Sequence, residues 1–209
     1  TSLLAMVDAS VGGKTGVNTS HGKNLVGAFH PPTAVLADPS VLGTLHPSHL
    51  GAGLVEAIKH GLVADAEYFR WIADRTDAIV ALDPAALTEL VARSARIKAA
   101  VVGADERENG RRAILNAGHT VAHAIELVTD YGILHGDAVA IGLVVETLLA
   151  HRLGLAEPGL SPTVKRALER IGRPTTLSPE WDDEALVEAM AHDKKVRGDT
   201  IRFALPIGI

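Results

Sequence analysis

The 209-residue chain has no cysteine, only 3% aromatic residues, and no uninterrupted apolar stretch long enough to cross a bilayer. Without cysteine there are no disulfides and no thiolate metal ligands, which suits a cytoplasmic setting. Scarce aromatics leave little on which bases could stack, and a formal charge of -5 argues against a general nucleic-acid partner. The missing apolar span, together with the lack of a basic-then-apolar start, argues against a membrane partner. What is present, 47% hydrophobic and 22% charged residues, is the composition of an ordinary globular protein of one large or two small domains. Thr1-Ser2 leads straight into the apolar run 3–7 with no initiating Met, as if the chain opened at an interior strand that needs neighbours to pair with.

The chain changes character near residue 46. Before it stand the run 3–7, read as a buried-type strand, a Gly-rich loop (Gly12, Gly13, Gly16, Gly22, Gly27), Pro31-Pro32 and a short apolar run at 34–37. After it the pattern is helical. Leu50, Leu54, Ile58 and Leu62 predict a helix over 47–64, and Asp83-Pro84 is an N-cap with Pro at the first helical position of a long helix. Further helices are expected over 112–130 and 136–153, then one from Ser161-Pro162 that Gly172 stops, and one capped by Asp182 that runs to Ala191. The alternation at 200–205 reads as a closing strand.

The segment 115–126 (LNAGHTVAHAIE) carries the strongest chemical signal. His119 and His123 are four residues apart, so in a helix both face one side. His135 follows a break at Tyr131-Gly132, where a turn could return the next helix start beside the first, and Glu56 lies far upstream. Imidazole and carboxylate are ligands zinc accepts, and a catalytic zinc takes three of them. On spacing alone, a His pair on a half-apolar helix serves equally as a structural feature. Lys14, Lys23, Lys59, Lys98, Arg111, Arg112, Lys194 and Lys195 are the cations of the unusual segments; they either converge on a small anionic substrate or are scattered and solvated. The loop 8–16 lacks the first Gly of a P-loop, so only a cation beside close-approaching backbone survives from that comparison.

Seven blocks, at 8–18 (DASVGGKTGVN), 22–27 (GKNLVG), 52–61 (AGLVEAIKHG), 105–108 (DERE), 115–126, 134–136 (LHG) and 193–195 (DKK), together resemble the signature blocks of the 3-dehydroquinate synthase family of the shikimate pathway. The resemblance implies an enzyme that uses NAD and zinc, or cobalt, on a sugar-acid phosphate, as a homodimer. The family is α/β overall; this chain is expected to be mostly α-helical, with 1–45 a remnant of the nucleotide-binding α/β domain and 46–209 the helical metal- and substrate-binding domain. Glu56, His119 and His135 match the metal positions, and His123 a proton-handling residue that faces substrate instead of metal. Lys59, Asn116 and Asp8 match further catalytic positions. Lys14, Lys23, Asn24, Lys98, Arg112 and one of Lys194 and Lys195 match substrate contacts. Thr1, Ser2, Val41, Leu42, Gly43 and Thr44, with Asp8, Lys14 and Lys23, fall where the family touches NAD.

The resemblance also implies that most of an NAD-binding half precedes residue 1, so that the chain is expected to be a C-terminal portion that binds zinc and turns over poorly alone. Other sugar-phosphate cyclases, such as the deoxy-inosose and valiolone synthases, match 11–15 less well. Metal-dependent polyol or alcohol dehydrogenases share the GHxxxH and later His-Gly features. A non-catalytic zinc-stabilised helical module is the alternative from outside enzymology.

Overall fold

The computed structural model describes residues 2–19, 22–108, 110–192 and 201–209. Seven helices carry the described fold: α1 (Pro47–Ala64), α2 (Ala66–Val80), α3 (Pro84–Ala104), α4 (His119–Val128), α5 (His135–Arg152), α6 (Leu160–Arg170) and α7 (Asp183–His192). Ahead of them stands an antiparallel hairpin, β1 (Lys14–Thr19) and β2 (Gly22–Phe29). None of the described helices is long and apolar enough to cross a membrane.

Local chemistry explains the helix starts. Asp65 accepts from Tyr68 N at 2.8 Å, Asp83 from Ala86 N at 2.8 Å and Asp182 from Glu184 N at 2.9 Å, each satisfying an otherwise orphaned first-turn donor. Gly172, at φ +69°, follows the end of α6 in the left-handed region. Leu54, Ile58, Leu90, Ile125, Ile141, Leu143 and Leu168 from five of these helices meet in one buried core.

Four sequence expectations need correction. The run 3–7 is helical: Ser2 Oγ accepts from Ala5 N at 3.2 Å, Ser10 N reaches back five residues to Ala5 O at 3.1 Å, and Ala5–Ala9 forms a single turn of π-helix. A short apolar run has no period that separates strand from helix, and here it buries Leu3, Met6 and Val7 against α1 and α3, which offer no strand edge to pair with. The Gly-rich loop is instead the hairpin, in which Lys14 pairs with Phe29 and Gly16 with Gly27; a Cβ on Gly27 would lie 1.9 Å from Thr15 O. The helix expected over 112–130 is broken: Arg111–Asn116 is a 3-10 segment, and Gly118 at φ +79° redirects the chain before α4 begins. Residues 201–205 form no strand, since the described chain offers no ladder there, and Thr200 lies outside the described residues.

The packing of α5 positions the site. At Gly136 a Cβ would stand 2.1 Å from Ala52 O of α1, and at Gly142 it would stand 2.0 Å from Gly118 O at the entry to α4. Both neighbours are backbone, so only glycine permits these approaches. Glu146 of α5, fully buried, accepts from Gly118 N at 2.8 Å and thereby caps α4 from a different helix.

Gly136→Ala is therefore expected to cost about 1–3 kcal/mol through overpacking. At Gly103 in α3 an added Cβ would meet nothing within 4 Å, so Gly103→Ala should gain roughly 0.5–1 kcal/mol from helix propensity. Urea unfolding midpoints that move in opposite directions would bear this out; a Gly136→Ala protein as stable as the parent would show that the α1–α5 contact is not tight.

Candidate metal centre and its surroundings

Three helices each contribute one ligating side chain at a single point. Glu56 lies in the third turn of α1, His119 opens α4 and His135 opens α5, and their ligand atoms all fall within 4.8 Å of one another. Glu56 Oε1 stands 3.6 Å from His119 Nε2 and 3.4 Å from His135 Nε2. Ligand atoms held about 2.0–2.2 Å from a tetrahedral zinc are about 3.3–3.5 Å apart, so this spacing suits a shared cation.

The outer nitrogens are fixed as such a site requires. His119 Nδ1 lies 3.1 Å from Ala117 O, and His135 Nδ1 lies 3.1 Å from Glu126 Oε1. An acceptor at Nδ1 places the ring proton there and leaves Nε2 a lone-pair donor directed at the centre. Glu56 is fully buried, and its Oε1 has no hydrogen-bond donor. A buried carboxylate oxygen without a donor is costly, and a cation between it and the two imidazoles would remove the cost.

The electrostatics agree. Burial works against ionised Glu56, but Lys59, ion-paired with its Oε2, and the two imidazoles outweigh it and hold the carboxyl well below its ordinary range. Burial, reinforced by Lys59, drives His119 down to about 3. Burial also depresses His135, yet the Glu126 and Glu56 carboxylates prevail and lift it to about 9. Positive charge is thus favoured at the centre of the trio, and a divalent cation would take the place of the His135 proton.

His123 does not join the trio. Its ring meets His119 edge-on, with centroids 5.6 Å apart, which separates the same-face pair into one inward ligand candidate and one neighbour. Lys59 is buried beside Glu56. Asp8, on the π turn, shares a ligand cluster with Glu56 and His60, and its Oδ1 lies 2.9 Å from Lys98 Nζ. Asp8, Lys59 and Lys98 therefore adjoin the trio.

Arg112 and Asn116 come from the 3-10 segment. Arg112 is buried and donates to Glu106 O at 2.6 Å and Gly12 O at 2.9 Å, tying the loop before β1 to the 105–108 segment. Glu108 accepts from Asn116 Nδ2 at 2.6 Å through one oxygen and pairs with Lys14 through the other. Val41, Leu42, Gly43 and Thr44 share a 3-10 turn in which Leu42 is buried in the core and Thr44 Oγ1 donates to Val41 O at 3.1 Å. Ser2 caps the first turn. Thr1, Lys194 and Lys195 lie outside the described residues, as do the side chains of Lys23 and Asn24.

Residue-by-residue reading of the sequence assigned nothing to Glu126, Glu108, Glu146 or His60. Two of them carried a signal. Glu126 is seven residues after His119, on the same helical face, and His60 is four after Glu56.

Comparison with known proteins gives the family. The family model described as 3-dehydroquinate synthase C-terminal matches residues 53–196, and that described as 3-dehydroquinate synthase N-terminal matches residues 1–52. The curated 3-dehydroquinate synthase of Rhodospirillum rubrum is 48% identical over 216 aligned residues, covering 100% of this chain and 56% of the relative. That of Halorhodospira halophila is 51% identical over 207, covering 98% and 58%. Among solved structures, 2-epi-5-epi-valiolone synthase from Streptomyces hygroscopicus subsp. jinggangensis, with NAD+ and Zn2+ bound, superposes with a TM-score of 0.89 at 31% identity, over 100% of this chain and 58% of that one. A 2-deoxy-scyllo-inosose synthase complexed with carbaglucose-6-phosphate, NAD+ and Co2+ gives 0.83 at 29% identity, over 97% and 53%. The chain thus spans a little over half the length of these relatives. With the two family models together running over residues 1–196, the chain belongs to the 3-dehydroquinate synthase family.

Proposed function

We propose that the whole protein to which these residues belong is a 3-dehydroquinate synthase, converting 3-deoxy-arabino-heptulosonate 7-phosphate to 3-dehydroquinate and phosphate by oxidation, phosphate elimination, reduction and aldol cyclisation. The observation that carries this reading is the buried Glu56 oxygen facing two imidazoles whose outer nitrogens are already held. The 48% identity with a synthase over the whole chain supports this reaction over those of the valiolone and inosose synthases, at 31% and 29%.

Glu56, His119 and His135 would hold the metal, with Glu126 and the Ala117 carbonyl orienting the two rings. Bound metal supplies a Lewis acid for the substrate hydroxyl, and NAD a hydride acceptor. Zinc and cobalt both accept this donor set. Lys59 and Lys98 bring two ammonium groups to the edge of the trio, where anionic groups of a sugar-acid phosphate would meet them. Lys14, Arg112 and Asn116, gathered around Glu106 and Glu108, would line the same substrate. His123, next to a ligand and outside the trio, is proposed as the group that moves a proton. Lys23, Asn24 and one of Lys194 and Lys195 are proposed as further substrate contacts. Thr1, Ser2 and Val41, Leu42, Gly43 and Thr44 of the 3-10 turn are proposed to border NAD.

The whole protein, supplied with NAD, Zn2+ or Co2+ and the heptulosonate phosphate, is expected to release phosphate and 3-dehydroquinate in equal amounts without accumulating NADH. Steady NADH accumulation would point instead to a polyol dehydrogenase, and a different cyclitol from another sugar phosphate to another cyclase. His119→Ala should abolish stoichiometric metal retention after dialysis. Glu126→Gln should keep the ligand set but weaken metal affinity by about 10–100-fold. Unchanged affinity in Glu126→Gln would remove Glu126 from the site.

A further inference from the structure

The second cluster of ligating atoms, Asp8, Glu56 and His60, is not a second cation site. Lys59 already pairs with Glu56 Oε2, and Lys98 Nζ sits 2.9 Å from Asp8 Oδ1, so two ammonium groups balance the two carboxylates. The group left without a role is His60. It is fully buried in α1, one residue beyond Lys59, and cannot itself reach a ligand that enters from solvent. Asp8 can, because its side chain is 23% exposed.

His60 connects Asp8 to a buried polar chain. Its Nε2 lies 3.3 Å from Asp8 Oδ1, an electrostatic contact short of hydrogen-bond geometry, and its Nδ1 lies 3.0 Å from Ser94 Oγ of α3. Tyr68 of α2 donates to Leu90 O at 2.7 Å and stands 3.3 Å from Ser94 Oγ. Burial depresses His60 below its ordinary range against the pull of Asp8, so the ring is neutral and carries one proton. Burial opposes ionised Asp8, but the His60 contact, Lys59 and Lys98 overcome it and keep the carboxyl well below its ordinary range. A lone pair at Nε2 would repel that carboxylate, so the proton belongs on Nε2. Nδ1 is then an acceptor, and Ser94 Oγ–H must donate to it.

We infer that His60 is a positioning residue for Asp8, held by Ser94 as the Nε2–H tautomer so that it and Lys98 fix the carboxylate that faces the site. The inference rests on the proposed synthase reading for what Asp8 serves, but the tautomer and its control by Ser94 rest on the burial and contacts of the ring itself. The arrangement is a hydroxyl–imidazole–carboxylate chain in which the carboxylate end, instead of the hydroxyl, is presented to the ligand.

Nitrogen-15 NMR of the whole protein should show the His60 ring as a single neutral Nε2–H tautomer, and Ser94→Ala should lose that single state. In steady-state kinetics His60→Leu should lower kcat by about 10–100-fold at unchanged metal content, the range typical of outer partners of functional groups. His60→Gln, whose amide N–H can take the Nε2 position, should recover most of that loss. Equal loss in the Leu and Gln proteins, or no loss in either, would overturn the inference. If His60→Leu does not fold, Ser94→Ala decides: wild-type tautomer and wild-type kcat in that protein would equally overturn it. A parent protein that fails to make 3-dehydroquinate would defeat the synthase reading while leaving the NMR result to judge the tautomer.

Discussion

The whole site depends on backbone-to-backbone contact along α5. Its Gly136 lies against Ala52 of α1, one turn before Glu56, and its Gly142 lies against Gly118, the residue before His119. His135 is itself the first residue of α5. One helix therefore sets the separation of all three metal-binding candidates, and it does so with main chain, which has no rotamers to relax. Glu146 then adds a hydrogen bond that fixes how α4 begins. Side chains at these crossings would hold the helices further apart and spread the ligand atoms beyond the edge lengths of a single coordination shell.

Holding the helices close also confines a dense set of charges. Glu56, Lys59, Lys98, Arg112, Glu126 and Glu146 are all buried. Unpaired, each would cost several kcal/mol, so the fold meets them with opposite charges, backbone donors and carbonyls. Arg112 is satisfied by carbonyls of two distant segments, and Glu146 by amides at a helix start. Such groups contribute little net stability when paired, and their value lies in fixing positions. The polar interior is thus a set of rigid supports, and the apolar core of α1, α3, α4, α5 and α6 supplies the stability that keeps them in register.

Much of this was legible from the chain alone where a cap or a glycine carried a mechanism. Asp83-Pro84, Asp182 and Gly172 marked real helix ends because each meets a specific backbone need. The blocks around Glu56, His119 and His135 predicted that the three would meet, and they do. The run 3–7 misled because five apolar residues fit a buried strand and a buried turn equally well, and only the neighbouring helices decide. α2 escaped notice since its polar face dilutes the buried stripe of Tyr68, Phe69, Ile72, Thr76 and Ile79. His60 and Glu126 were hidden for another reason. Their partners lie on other segments or across a helix break, and spacing along the chain gives a face but not what that face meets.

The π turn at Ala5–Ala9 places Asp8 at the head of the buried chain while Met6 and Val7 point into the core. An ordinary helical turn would need one residue fewer to cover the same path. Removing or inserting a residue there would rotate everything beyond it by about 100° and carry the carboxylate away from Lys98 and His60 even if every side chain were kept. Exchanging one apolar side chain for another in the segment would leave that carboxylate in place, whereas a change in the segment's length would not.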